Sequence, residues 1–405
     1  MKRYLSVIVS FILLFAFSSE GNCITLSTEE AENFSNEEYI ATDAAVDVDA
    51  NLITYAKSVL LMEKSTGRVL YSLNENERLF PASVTKIMTI LLVCENLSSG
   101  NIALTDEVVC SENAASKGGS QIWLEPGEVM TVEELLKATC VYSANDACTL
   151  LGEYIAGGEA AFNELLNKRA GELGMTNTHF DNCTGLDDTT ETHLTTAYDV
   201  ALMARELLKY DFIRNYTTIW MDSLRNGETQ LVNTNKLIRY YNGITGLKTG
   251  TTEKAGCCVC ATAERDGMEL IAVVMGSENS NDRFRSAENM LDWGFANFTV
   301  SKPEVDIAAR EINVLLGEKV SVEIEVPEIA PVLVNKQNAD LLECRFELAE
   351  SISAPFERGS VVGVVTVSLD GELIEEYNIT VKESVDAMSF LTAICRLLGS
   401  FCSQN

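Results

Sequence analysis

Three short motifs, Ser83-Val84-Thr85-Lys86, Ser143-Ala144-Asn145 and Lys248-Thr249-Gly250, occur in that order along the chain. They constrain the fold more than composition does, because their chemistry works only if they meet. A serine hydroxyl is a weak nucleophile until a base takes its proton. Ser83 and Lys86 are three apart, so on a helix they share a face. A neutral lysine serves as that base if burial and a neighbouring cation lower its pKa, and Lys248 is the candidate cation. The fold must therefore bring a helix start, a Ser/Asn element and a Lys-Thr-Gly segment together from distant parts of the sequence.

Ser-x-x-Lys alone carries little weight, since roughly one chance match per chain is expected at average composition. A lone copy reads as solvated helix surface. Each further motif in order cuts the chance by about tenfold or more. Gly250 lets a substrate backbone approach closely. Lys248 and Thr249 can hold a terminal carboxylate by charge-assisted hydrogen bonds, against the alternative of a turn with an exposed lysine. Ser143 can relay a proton towards a leaving amine, and Asn145 can bond a substrate amide and Lys86. Helix N-capping is the rival role for both. The trio implies acyl transfer on a peptide that ends in a carboxylate.

The remaining sequence narrows the field. Sixty acidic against thirty basic residues give a net charge of −30, which excludes nucleic acid as a partner. Lys2 and Arg3 precede an apolar run over residues 5–17, followed by Ser18, Ser19 and Gly21, which reads as a cleaved export signal over 1–21. Only His179 and His193 are present, without a Gly-x-Ser-x-Gly elbow or a His-Glu-x-x-His helix, so a Ser-His-Asp triad and a zinc site are both disfavoured. The twelve cysteines have no framework spacing and read as mostly reduced. Cys257-x-x-Cys260 has Cys258 inside it and reads as buried strand.

Residues 22–51 form a linker with eight acidic side chains and no basic one between 28 and 50. Residues 58–62 and 68–72 predict a hairpin turning at Thr66-Gly67. A helix is predicted from about Ser83, and mainly helical pattern from 130 to 208. Strands are predicted over 256–262 and 270–276 about an Asp266-Gly267 turn, then a helix over 283–295. Residues 52–300 form one α/β domain. Residues 301–380 read as a separate all-β domain with a hairpin at Asp370-Gly371. In the tail, 381–405, a helix over 386–402 places Leu391, Ile394, Leu398 and Phe401 on one face, which predicts a weak peripheral membrane contact.

The chain resembles the low-molecular-mass penicillin-binding proteins that are D-alanyl-D-alanine carboxypeptidases. The resemblance rests on Pro81-Ala82-Ser83-Val84-Thr85-Lys86, Tyr142-Ser143-Ala144-Asn145-Asp146-Ala147, Thr178-His179-Phe180, Gly185-Leu186-Asp187-Asp188, Gly246-Leu247-Lys248-Thr249-Gly250 and Lys254-Ala255-Gly256. Gly359-Ser360-Val361-Val362-Gly363 extends it into the β domain. It implies an antiparallel sheet flanked by helices, with a helical subdomain around Ser143. It implies catalytic Ser83, Lys86, Ser143 and Asn145, and substrate binding by Lys248, Thr249, Gly250 and Thr251. The backbone N–H groups of Ser83 and Thr251 form the implied oxyanion hole. No metal or cofactor is implied. The implied partners are a peptidoglycan stem peptide ending in D-Ala-D-Ala and β-lactams as covalent inhibitors, met outside the cytoplasm. Thr251 and Thr234 stand where some relatives carry His and Arg, which bears on substrate preference. The alternatives are a β-lactamase, for which Glu164-Leu165-Leu166-Asn167 is the nearest deacylation motif, and a wall-binding or β-lactam-sensing module without turnover.

Overall fold

The computed structural model describes residue 52, residues 55–301 and residues 309–402. The expected export signal and acidic linker lie outside the described residues. The first hairpin is β1 (Ser58–Glu63) and β2 (Val69–Leu73). Helix α1 (Lys86–Ser98) follows a 3₁₀ turn, Ala82–Thr85, so the α-helix starts three residues after the serine. The helical stretch resolves into α2 (Val132–Lys137), α3 (Asn145–Ala156), α4 (Glu159–Glu172) and α5 (Ala197–Leu207). Residues 173–196 are irregular, against the helical expectation.

Strands β3 (Ile244–Thr252), β4 (Gly256–Arg265) and β5 (Met268–Ser277) complete an antiparallel sheet in the order β2-β1-β5-β4-β3. Asp266 and Gly267 turn β4 into β5 with φ of 51° and 78°, the left-handed pair that a two-residue hairpin needs. Helix α6 (Ser280–Asn297) then covers one sheet face. Alternate residues of β1 point to opposite faces. Leu60 and Met62 join a core with Ile87, Leu91 and Val200 from α1 and α5. Val59 and Leu61 join another with Phe284 and Leu291 from α6. Both faces are dry, which explains the unbroken apolar runs in β4 and β5.

β6 (Phe298–Ser301) lies across the expected domain boundary at 300. Beyond it come β7 (Glu311–Leu315), β8 (Ser321–Glu325), β9 (Val332–Asn335), β10 (Leu342–Leu348), β11 (Ser351–Ser353), β12 (Val361–Leu369) and β13 (Glu372–Val381). Six of these form one sheet, β10-β12-β13-β8-β7-β11, over an apolar core that includes Val322, Val365 and Ile379. β9 pairs instead with β6. Helix α7 (Phe390–Cys402) starts later than residue 386, because Val385 and Ala387 bridge to Phe356 and Gly317 in the β domain. No helix among the described residues is long and apolar enough to cross a membrane.

Candidate active site

The 3₁₀ turn and the first residue of α1 set Ser83 and Lys86 side by side, with Lys86 Nζ 2.9 Å from Ser83 Oγ. Lys86 is wholly buried, an unusual place for lysine. Its Nζ also donates to Asn145 Oδ1 at 2.6 Å and to the Thr184 carbonyl at 2.7 Å. Those acceptors have no proton to give back. A neutral amine has two N–H bonds and one lone pair, so with both N–H bonds occupied the lone pair faces the Ser83 hydroxyl. Burial pushes the Lys86 pKa down to about 8. Burial, and not a neighbouring cation, therefore lowers the Lys86 pKa and favours its proton-accepting form.

Ser143 follows a π-type turn, Ala138–Tyr142, and adopts a left-handed φ of 65°. Its hydroxyl accepts from Lys248 Nζ at 2.8 Å. Asn145 opens α3, and its Nδ2 donates to the Gly118 carbonyl at 2.7 Å. Neither side chain caps the helix; the cap position is Ala144. Lys248 lies inside β3 and is buried, so it is no exposed turn lysine. It also donates to the Thr249 carbonyl at 3.0 Å. Burial first, then repulsion from Lys86, pushes Lys248 well below the usual lysine range. Thr249 Oγ1 donates to Thr234 Oγ1 at 2.7 Å, so the two threonines form one polar patch.

Gly250 makes room for the chain itself. A Cβ there would lie 2.8 Å from Ser83 N and 2.8 Å from the Pro81 carbonyl. Its small size lets β3 pack against the turn that carries Ser83. The Thr251 hydroxyl is tied to Arg283, whose Nη1 donates to it at 2.9 Å and to the Gly250 carbonyl at 2.9 Å. Sequence reasoning gave no site role to Thr184, Gly185, His193 or Arg283. Thr184 acts through a carbonyl, which no residue type signals. Gly185-Leu186-Asp187-Asp188 and the lone buried histidine were the available signs.

Glu164, the nearest imitation of a β-lactamase glutamate, is exposed on α4. Cys257, Cys258 and Cys260 are buried in β4, and the ten cysteines whose side chains are described are free thiols. Among the described residues no three His, Cys, Asp or Glu side chains are grouped to hold a metal ion.

The sequence profile of the D-alanyl-D-alanine carboxypeptidase family matches residues 44–279. That of the penicillin-binding protein 5 C-terminal domain matches residues 300–387. D-alanyl-D-alanine carboxypeptidase DacF of Bacillus subtilis (strain 168) is 38% identical over 406 residues, covering 99% of each chain. Penicillin-binding protein 5 of Haemophilus influenzae superposes with a TM-score of 0.70 at 30% identity, covering 82% of this chain and 98% of its own. Penicillin-binding protein D2 of Listeria monocytogenes, solved in an ampicillin-bound form, gives 0.55 at 28%, covering 59% and 97%. Three motifs gathered on two buried lysines, in a chain matched by that profile over more than half its length, place this protein in the D-alanyl-D-alanine carboxypeptidase family of low-molecular-mass penicillin-binding proteins, which are serine-type hydrolases.

Proposed function

We propose that the protein removes the terminal D-Ala from peptidoglycan stem peptides through an acyl-enzyme on Ser83. The observation that carries this is the saturation of Lys86, with two carbonyl acceptors and a lone pair left for Ser83. Neutral Lys86 takes the Ser83 proton, and Oγ attacks the carbonyl of the penultimate D-Ala. The N–H groups of Ser83 and Thr251 stabilise the oxyanion. The proton that Lys86 took leaves on the departing D-Ala amine by way of Ser143, which is bonded to Lys248, so Lys86 is neutral again. Water, activated by Lys86, then frees the enzyme. Lys248, buried and repelled by Lys86, sits well below the usual lysine range. An arriving carboxylate favours the charged form of Lys248, and Thr249 adds a hydroxyl. Gly250 keeps β3 against the nucleophile turn. The protein works outside the cytoplasm after export and needs no cofactor. The exposed Phe390, Leu391 and Ile394 of α7 support weak, peripheral membrane contact. The organisation is a catalytic domain over 52–300 and a β domain over 301–380.

β-Lactams mimic the acyl-D-Ala-D-Ala end and acylate Ser83. The test is D-Ala release from a diacyl-Lys-D-Ala-D-Ala peptide, with intact-mass analysis after penicillin exposure. D-Ala release, slow penicillin hydrolysis and an adduct lost in Ser83→Ala support the reading. Fast penicillin turnover, or a full adduct on Ser83→Ala, overturns it.

A further inference from the structure

Ala82, the residue before the nucleophile, has a φ of 48°. Alanine enters the left-handed region only at a cost, so its surroundings must hold it there. Thr85 Oγ1 donates to the Ala82 carbonyl at 2.9 Å. The same oxygen lies 2.8 Å from His193 Nε2. The Asp181 N–H reaches His193 Nδ1 at 3.0 Å, so Nδ1 accepts, Nε2 carries the proton, and Nε2 donates to Thr85. Every polar atom of the ring is thereby used. The ring is wholly buried beside Phe180, at 5.6 Å between centroids, and burial pushes its pKa down to about 4. It is neutral at physiological pH, the state with one donor and one acceptor. Gly185 leaves the space this needs, since a Cβ there would come 1.8 Å from the Ala82 oxygen.

The Ala82 carbonyl and the Ser83 N–H belong to one planar peptide, and they point in opposite directions. Whatever fixes the carbonyl also aims the N–H. We propose that His193 and Thr85 are positioning residues whose hydrogen-bond chain, from the Asp181 N–H to the Ala82 carbonyl, aims the Ser83 N–H at the developing oxyanion. This rests on Ser83 as nucleophile and oxyanion donor. Removing an oxyanion donor outright costs about 100- to 1000-fold. Releasing its orientation should cost less, about 10- to 100-fold, and should fall on the acylation step, because the N–H meets full charge only in the transition state.

Penicillin acylation is resolved into initial binding and the acylation rate constant for wild type, Thr85→Val, Thr85→Ser and Ser83→Ala, with mass analysis locating the adduct. Thr85→Val keeps the shape and loses the hydroxyl; Thr85→Ser keeps the hydroxyl. The expected result is a 10- to 100-fold lower acylation constant in Thr85→Val with binding changed less than threefold, and recovery to within threefold of wild type in Thr85→Ser. Equal acylation by wild type and Thr85→Val overturns the relay alone. So does an equal loss in Thr85→Ser and Thr85→Val. A wild type that forms no adduct on Ser83 overturns the nucleophile assignment itself. Nitrogen-15 NMR of the histidines in the wild-type protein requires no variant to fold: the Nε2–H tautomer at pH 7 is expected, and the Nδ1–H tautomer overturns the chain.

Discussion

At the scale of single residues, the site is built to leave an amine one proton short. Burial lowers the Lys86 pKa to about 8, and under the proposed function its neutral form takes the Ser83 proton. Acylation by penicillin should therefore rise with pH through about 8 and level off above, with a slope of about tenfold per unit below. Asn145→Asp would place a carboxylate where Oδ1 now lies 2.6 Å from Nζ. A negative neighbour stabilises the ammonium, so the rising limb should shift to higher pH and the rate at pH 7 should fall about tenfold or more. A profile that keeps its midpoint would count against Lys86 as the base. Gly250→Ala should lower acylation at least about tenfold, since the new methyl meets Ser83 N and the Pro81 carbonyl at 2.8 Å. Much of this was legible from spacing, because Ser83, Lys86, Ser143, Asn145 and Lys248 each carry chemistry in their side chains. What Gly250 makes room for was not, because nothing in a glycine says which atoms approach it. The Thr184 carbonyl was not legible either, because every residue has one.

At the scale of elements, helix α3 joins Asn145, the acceptor for Lys86, to a loop by its first turn. Asp146, wholly buried beside it, accepts from the Ile122 and Leu124 N–H groups at 3.1 Å. Asp146→Ala would strand the buried Ile122 and Leu124 donors and remove the bond from the Ala147 N–H, at about 1–3 kcal/mol each. The melting temperature should fall by roughly 5–15 °C. Acylation should fall with it, because the same loop supplies the Gly118 carbonyl that steadies Asn145. An unchanged melt would show that water replaces the carboxylate. The misjudged segment 173–196 has a physical reason. Asn182 Oδ1 accepts from the Thr184 and Gly185 N–H groups, and its Nδ2 donates to the Leu186 carbonyl. Such local bonds compete with helix, and apolar spacing cannot register them. For α7, vesicle flotation of the protein with and without residues 386–405 is the measurement. Flotation, undiminished by salt, should require the tail, since the acidic body is repelled by anionic lipid. Equal behaviour of the two forms would assign the exposed Leu391 and Ile394 to a protein contact.

At the scale of the whole molecule, acid should weaken the fold through a residue far from the surface. His193 titrates near 4 when folded, chiefly by burial, with Asp181 opposing and His179 and Lys86 assisting, against about 6.5 unfolded. As pH falls below about 6.5 the unfolded chain takes up the proton first. The stability is complete above 6.5 and drains away down to 4, by at most about 3 kcal/mol. Thermal melts at pH 7 and pH 5 should differ, and His193→Gln should narrow the gap; an equal gap in both would place the acid sensitivity elsewhere. The two-domain plan was legible from the change to β-rich sequence near 300. The joint was not: β6 and β9 pair across it, and Leu333 enters the core under α6, with no motif marking either. The strand order has a last consequence. β3 closes one side of the five-stranded sheet and, among the described residues, has a strand neighbour on β4 alone. Under the proposed function, that margin leaves room for the substrate to lie extended along β3 and be held through its main chain. On that reading, for the life of each acyl bond the sheet of the proposed enzyme carries a sixth strand that is not its own.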